Sequence, residues 1–220
     1  MKPGLISSVL VFLLLVLIGL TACAGSKDAD RSLVTQMPCS PPCWYGLELE
    51  ESTKIEALDT LRSLSFVDQD RVSFHDYSNH WGPDSGEILY GCKYQYKNDY
   101  CGGSIIIRNG KVKSIVYGLC YKLTFGEVVD LYGRPDLIFS ESPTTVAGGC
   151  SLGLYWESKQ LFISSYDHYK YKPCDRLRKD DAIDPKLKVD YVRISTEEFI
   201  VYDSLPSGRL PWSDDYFSNK

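Results

Sequence analysis

The side chains of this sequence with the widest chemistry are its eight cysteines. A thiol can carry a lipid, close a disulfide, bind zinc or act as a nucleophile, and its compartment decides among these uses. The cysteines are Cys23, Cys39, Cys43, Cys92, Cys101, Cys120, Cys150 and Cys174. The segment that precedes the first of them therefore has to be interpreted before the others.

That segment is typical of an export signal. Lys2 is followed by an apolar run at residues 9–20 and then by the small residues Thr21 and Ala22, the order expected before a cleavage site. We expect residues 1–22 to be a removed signal peptide. An uncleaved membrane helix from about Leu5 to Ala22 is the alternative, but its eighteen residues are at the lower limit for crossing a bilayer.

The sequence Leu20-Thr21-Ala22-Cys23 resembles the lipobox of bacterial lipoproteins. The resemblance implies cleavage before Cys23 and attachment of acyl chains such as palmitate to its thiol and its new amino group. One acyl chain holds a protein at a membrane only marginally, whereas two or three anchor it. We therefore expect a lipid on Cys23 to anchor the mature protein at the extracytoplasmic face of a bacterial cell membrane.

Export to an oxidising compartment predicts disulfides among the remaining seven cysteines. Short separation and hairpin or loop geometry favour three pairs. These are Cys39–Cys43, Cys92–Cys101 and Cys150–Cys174, with Cys120 left as a buried thiol. Zinc at Cys39 and Cys43 is the alternative, although no second ligand pair stands nearby at zinc spacing.

A basic, tyrosine-rich loop at residues 166–184 is the candidate contact surface of this otherwise acidic chain. Tyrosine and arginine are enriched at interface hot spots because they combine rigid area with directed hydrogen bonds. The alternative is a solvated loop whose charges face water. The candidate binding residues are Tyr166, Tyr169, Tyr171, Arg176 and Arg178.

The sequence contains no motif for catalysis, a cofactor or a metal. His75 and His80 flank Asp76, but they do not stand at a zincin spacing and no motif places an acid beside them. A Gly-x-Ser-x-Gly elbow and a phosphate-binding glycine loop are both missing. Loss of Lys2 with the signal peptide takes the formal net charge from −5 to −6, which argues against a nucleic-acid partner.

The elements that must position these residues begin after a flexible tether predicted at residues 23–37. Thr53 and Glu56 form a capping box at the start of a helix. Its predicted buried face comprises Ile55, Leu58, Leu61 and Leu64. Residues 75–86 are predicted to form a loop. Residues 87–97 are predicted to form a strand, because their residue types alternate with a period of two.

Asn109-Gly110, between apolar runs at residues 104–107 and 112–117, predicts a β-hairpin. If Ile107 faces Val112, one face of this hairpin carries Ile105, Ile107, Val112 and Val116, although a bulged turn would change this register.

The same pattern then begins again. Thr124 and Glu127 form a second capping box, with Gly133 as the helix stop. Strands are predicted at residues 152–157, 160–165 and 186–194. Aligning Thr53 with Thr124 gives an offset of 71 residues, so we expect a first repeat at residues 38–121, a second at 122–204 and a tail at 205–220.

Residues 123–135, Leu-Thr-Phe-Gly-Glu-Val-Val-Asp-Leu-Tyr-Gly-Arg-Pro, resemble the helix-to-strand entry of small lipoproteins of the SmpA/BamE type. Those proteins share a helix-on-sheet unit with the tandem-repeat β-lactamase inhibitor proteins. The resemblance implies a protein-binding or assembly role and brings no catalytic residue. The first repeat departs from this pattern because it lacks the Gly and Pro that end the helix.

These features together predict an α+β fold in which two repeats, each a helix on an antiparallel sheet of three or more strands, form one disulfide-containing unit. The predicted function is a lipid-anchored, non-enzymatic module that binds a protein or an envelope polymer. The alternative is an enzyme, or a protein that binds a small ligand or metal, on the concave sheet face. A purely structural envelope component is a third possibility.

Overall fold

The computed structural model of the protein describes residues 31–93, 101–119, 121–141, 151–165, 183–195 and 206–211. In these ranges the chain is α+β, as predicted, with short helices and a large antiparallel sheet. The helices are α1 (Ser32–Thr35), α2 (Lys54–Ser63), α3 (Ser78–Trp81) and α4 (Phe125–Tyr132). The strands are β1 (Cys43–Trp44), β2 (Leu47–Glu48), β3 (Val67–Asp76), β4 (Gly86–Cys92), β5 (Gly102–Arg108), β6 (Lys111–Gly118), β7 (Leu137–Glu141), β8 (Ser151–Trp156), β9 (Leu161–Ser165), β10 (Tyr191–Ser195) and β11 (Pro206–Pro211).

Nine of these strands form one sheet in the order β11-β7-β8-β9-β10-β6-β5-β4-β3, and β1 pairs separately with β2. Every strand pair is antiparallel. Strands β3–β6 and β7–β10 are each a meander, in which neighbours along the chain are also neighbours in the sheet. The last strands of the two meanders, β6 and β10, pair with each other at the centre.

Helices α2 and α4 share one hydrophobic core with a single face of the sheet. Both begin with the predicted capping box, in which the N-cap threonine accepts from the glutamate N–H and the glutamate carboxylate accepts from the threonine N–H. The distance from the Thr53 nitrogen to the Glu56 carboxylate is 2.7 Å, and that from Thr124 to Glu127 is 2.8 Å. Gly133 caps the end of α4, also as predicted.

The buried face of α2 differs from the predicted one. Ala57 and Leu61 are fully buried, and Leu58 and Leu64 are partly buried, whereas Ile55 is 67% exposed. An α-helix turns by about 100° per residue, so each three-residue step falls about 60° short of a full turn. Ile55 and Leu64 are three such steps apart and therefore lie on opposite sides of the helix.

Both long helices are joined at their N-termini to the central strands in the same way. The N–H of Lys54 donates to the carbonyl of Gly110 at 3.1 Å, and that of Phe125 donates to the carbonyl of Leu187 at 2.9 Å. Isolated β-bridges link Thr53 to Lys111 and Thr124 to Lys188. Each capping box therefore lies directly against the segment that enters β6 or β10.

The predicted Asn-Gly hairpin is present, because Asn109 and Gly110 both have positive φ and connect β5 to β6. Ile107 pairs with Val112 as expected, but the register then shifts, and Ile106 pairs with Ser114. Because of the bulge at Lys113, each later side chain of β6 points to the opposite face from the one expected. The prediction that Val116 shares the face of Ile105 is therefore wrong, and Ile115 takes that place.

Three strands of the large sheet, namely β3, β7 and β11, were not predicted. Residues 75–86, expected to be a loop, contain the end of β3 and the helix α3. Strand β7 follows α4 directly, so each meander has four strands rather than three. In the predicted tail, residues 206–211 form β11, which pairs with β7 at the edge of the sheet.

The N-terminal strap, which we define as residues 31–49, crosses the helix-bearing side of the molecule. Residues 31–37 were expected to belong to a flexible tether, but Leu33 in α1 is 1% exposed and joins the main core. The hydroxyl of Tyr132 donates to the carbonyl of Leu33 at 2.5 Å. Burial raises the pKa of Tyr132, which keeps this hydroxyl protonated as a donor. One apolar side chain and one tyrosine hydroxyl therefore hold these residues against the domain.

Farther along the strap, Trp44 fills the centre of the core. Its indole is fully buried, with ring centroids 5.8 Å from Tyr90 and 5.7 Å from Tyr117. Gly103 lies opposite both tyrosines in the sheet. A Cβ at Gly103 would come within 2.0 Å of the Val116 carbonyl oxygen, so only glycine leaves this part of the sheet close-packed.

We predict that Trp44→Ala lowers the free energy of unfolding by about 3–5 kcal/mol, since it empties a fully buried aromatic site. Urea denaturation of the purified protein measures this loss. Trp81→Ala is the matched control, because the Trp81 indole is only half-buried; it contacts Tyr77 edge-on, and the Arg108 guanidinium lies over its ring. Equal losses in the two variants would contradict the central position of Trp44.

A second prediction concerns pH. The backbone N–H of Thr53, and then its hydroxyl, lower the pKa of Glu56. A carboxyl whose pKa is lower in the folded state stabilises the fold above its unfolded pKa of about 4.3 and loses this effect as pH falls through the folded value. Glu56→Gln is thus expected to be less stable than the wild type at pH 7, with the difference disappearing near pH 3. Urea titrations at both pH values test this, and Glu51→Gln controls for the loss of one surface charge.

Candidate functional site

All five predicted contact residues lie outside the described residues. This holds for Tyr166, Tyr169, Tyr171, Arg176 and Arg178, and also for Cys23, Cys120, Cys150 and Cys174. Their roles remain predictions from the sequence. No helix within the described ranges is long and apolar enough to span a bilayer.

The predicted disulfide between Cys39 and Cys43 is present, with a Cα–Cα distance of 5.7 Å. Because the bond uses both thiols, the alternative of a zinc site at this pair is set aside. The N–H of Gly46 donates to the Cys39 sulfur at 3.3 Å. The disulfide therefore stiffens the strap immediately before the hairpin that carries Trp44.

The predicted disulfide between Cys92 and Cys101 is wrong. Cys92 is a buried thiol, while Cys101 is disulfide-bonded. The two residues do lie side by side, since the N–H of Cys92 donates to the carbonyl of Cys101 at 3.1 Å. A hydrogen-bonded antiparallel pair holds its Cβ atoms near 5.5 Å, beyond the roughly 3.5–4.5 Å that a disulfide requires.

His75 and His80 do not form part of a metal cluster among the described residues, where no group of three or more ligand side chains occurs. His75 is exposed on β3, with its Nε2 atom 3.3 Å from the Ser73 hydroxyl, and His80 is exposed in α3. Hydrogen bonds from the hydroxyl and the N–H of Ser78 lower the pKa of Asp76. This carboxylate therefore helps to begin α3.

The chemistry available in the described part of the chain lies on the sheet face opposite α2 and α4, at the junction of the two meanders. Arg193 on β10 pairs with Val116 on β6 and with Phe162 on β9. Because side chains alternate along a strand, Tyr191 and Ser195 point to the same side as Arg193. We call Ser114, Val116, Ser164, Tyr191, Arg193 and Ser195 the central patch.

Three serines of the central patch surround Arg193. Ser114 pairs with Ser195, and Ser164 pairs with Tyr191. Ser195 therefore lies two residues from Arg193 on the same strand, and Ser114 and Ser164 lie diagonally opposite Arg193 on the two neighbouring strands. All three serines are 0% exposed, and their hydroxyls have no hydrogen-bond partner among the described residues. Buried hydroxyls in folded proteins are normally bonded, so three on one face need an explanation.

The remaining members of the central patch are less buried than its serines. Val116, Tyr191 and Arg193 are half-buried, whereas the serines are fully buried. The Tyr191 ring packs on Phe162 with centroids 6.0 Å apart. A guanidinium presents a planar fork of donors that matches a carboxylate, and each serine adds one donor and two lone pairs. This arrangement is suited to binding a carboxylate rather than to breaking a bond.

The sequence analysis predicted a strand at residues 186–194 but did not identify the central patch. The available signal was the alternation of polar and apolar residues in Tyr191-Val-Arg-Ile-Ser195, together with the serine in Lys113-Ser-Ile-Val116. This signal identifies a patch only when the pairing of the strands is known, because sequence alone does not show that β6 and β10 are neighbours at the centre of a sheet. Comparison with family models, curated proteins and solved structures finds nothing that matches this chain.

We predict that Ser114→Ala and Ser195→Ala leave the free energy of unfolding unchanged or raise it by about 1 kcal/mol. Each removes a buried hydroxyl that makes no hydrogen bond in the described structure. The matched control is Ser85→Ala, because Ser85 is also 0% exposed but its hydroxyl accepts from the Asn109 N–H at 3.0 Å. That variant is expected to lose about 1–3 kcal/mol. Equal losses in all three, measured by urea denaturation, would show that the patch hydroxyls are already satisfied.

Proposed function

We propose that this protein is a lipid-anchored, extracytoplasmic binding module of a bacterial membrane, and that its central patch receives a carboxylate group of a protein or an envelope polymer. The observation that carries the proposal is the set of three buried hydroxyls around Arg193. A bound acceptor would satisfy these three donors.

The residue types of the central patch favour binding over catalysis. None of its six members is a carboxylate, an imidazole or a thiol, so the patch itself supplies no general base for a serine. The half-buried strip beside it, Leu89, Ser104 and Ile106, offers a partner contact area without reactive groups. We therefore keep the non-enzymatic interpretation for this surface.

Anchoring by lipid is proposed from the sequence around Cys23. Arg31, where the described strap begins, is eight positions after this cysteine along the chain. A fully extended chain of that length spans at most about 29 Å. The anchor would therefore keep the folded domain beside the membrane rather than far from it.

We also propose that the two halves are repeats of one helix-plus-meander unit. The support is the correspondence of the two capping boxes, the two bridges from Thr53 and Thr124, and the antiparallel meeting of β6 with β10. The sequence resemblance at residues 123–135 to SmpA/BamE-type lipoproteins agrees with a binding or assembly role.

The experiment that tests the function places a photoreactive benzoylphenylalanine at Ile106, which pairs with Ser114 at the border of the patch. After irradiation of intact cells we expect one dominant adduct, identified by mass spectrometry. The control position is Asp59, which is exposed on α2. Arg193→Ala is expected to reduce the adduct at least about tenfold, and Arg193→Lys to reduce it less, because lysine keeps the charge without the fork.

Thermal unfolding of each variant checks that the fold is kept. An adduct of equal strength at Asp59, or one that Arg193→Ala leaves intact, would contradict a partner site at the central patch. The absence of any adduct at Ile106 in cells that contain the lipidated protein would do the same.

A further inference from the structure

Two exposed apolar side chains lie near the start of the N-terminal strap. Four large apolar residues are exposed within the described ranges, namely Val34 (38%), Met37 (65%), Ile55 (67%) and Leu131 (38%). Val34 and Met37 stand three residues apart in the strap. Leu131 directly precedes Tyr132, whose hydroxyl binds the Leu33 carbonyl. We call Val34, Met37 and Leu131 the entry corner.

The entry corner belongs to the ordered domain and not to a loose linker. Leu33 is 1% exposed in the core, and the N–H of Gln36 donates to the carbonyl of Ser32 at 2.8 Å. The guanidinium of Arg31 lies 5.9 Å from the centroid of the Tyr121 ring. The neighbours of Val34 and Met37 are therefore fixed in place. A local rearrangement would not bury these two side chains in the core.

The position of the entry corner along the chain indicates what covers it. Arg31, the first residue of the strap, is eight residues from the predicted lipid on Cys23. Within the described residues the entry corner is thus the exposed apolar surface nearest to the anchor along the chain. An apolar surface beside an inserted acyl chain fits the boundary between lipid headgroups and acyl chains.

The charges around the entry corner do not select a lipid headgroup. Arg31, Lys122 and Arg134 are exposed there, and so are Asp130 and Asp136. Cations with long stems extend towards headgroups while their methylenes stay on apolar surface, but the nearby carboxylates offset their attraction to anionic lipid. Apolar contact is therefore the interaction that holds this corner.

We propose that the domain rests directly on the bilayer through the entry corner, with Val34 and Met37 in the interfacial layer. This inference rests on the proposed lipid anchor and adds a second membrane contact made by the folded domain itself. Helix α4 lies on the helix-bearing face, so this contact leaves the opposite face, with the central patch, clear of the bilayer for a partner.

The test uses the full-length lipidated protein in vesicles of phosphatidylethanolamine and phosphatidylglycerol that contain a lipid with a diazirine in its acyl chain. After irradiation, mass spectrometry maps the residues that carry lipid. We expect adducts at Val34 and Met37 and none at Ile55, which is as exposed as Met37 but lies on α2. In the double variant Val34→Asp, Met37→Asp we expect at least a fivefold loss of these adducts with unchanged thermal unfolding.

Adducts at Ile55 as frequent as those at Met37, or none at the entry corner while the peptide with Cys23 carries its acyl chains, would overturn this inference and leave the proposed anchor intact. A peptide with Cys23 that carries no acyl chain would overturn both. If the corner instead binds a second copy, sedimentation would show a lipid-free dimer that the double variant abolishes, and the lipid adducts would be missing. That result would also overturn the membrane contact.

Discussion

The pairing of β6 with β10 is the constraint on which the rest of the structure depends. Each strand ends a meander, and their antiparallel register from Ser114–Ser195 to Gly118–Tyr191 turns two four-stranded sheets into one continuous layer. Both helices then pack on one face of that layer and share one core. The same pairing gathers polar residues from both meanders at the centre of the other face.

The strap adds a second, independent connection between the two halves. At its beginning Leu33 is bonded to Tyr132 of α4, and at its hairpin Trp44 stacks on Tyr90 and Tyr117 of the first meander. The disulfide between Cys39 and Cys43 lies between these two anchoring points. The chain is thereby fixed to the core at both ends of the strap, so the strap and the rest of the domain keep one relative orientation.

Local rules predicted local features correctly. The capping boxes at Thr53 and Thr124 and the Asn109-Gly110 turn depend only on neighbours in sequence, and all three were found. Predictions that depended on which face a side chain occupies, or on how two strands pair, were wrong. Val116 lies on the other face because of one bulged residue. Cys92 was assigned to Cys101, although backbone pairing keeps their Cβ atoms apart. The central patch was missed for the same reason, since its members come from three strands whose order the sequence does not state.

The most direct test of this account is amide hydrogen exchange of the lipid-free mature domain, followed residue by residue by NMR. If β6 and β10 join the two halves into one cooperative sheet, the amides of Val116 and Arg193 should exchange among the slowest, with opening free energies close to that of global unfolding. The amides of the edge strand β3 should exchange much faster. Exchange at Arg193 as fast as on β3, or two separate sets of opening energies for the two meanders, would contradict a single sheet built around the central pair.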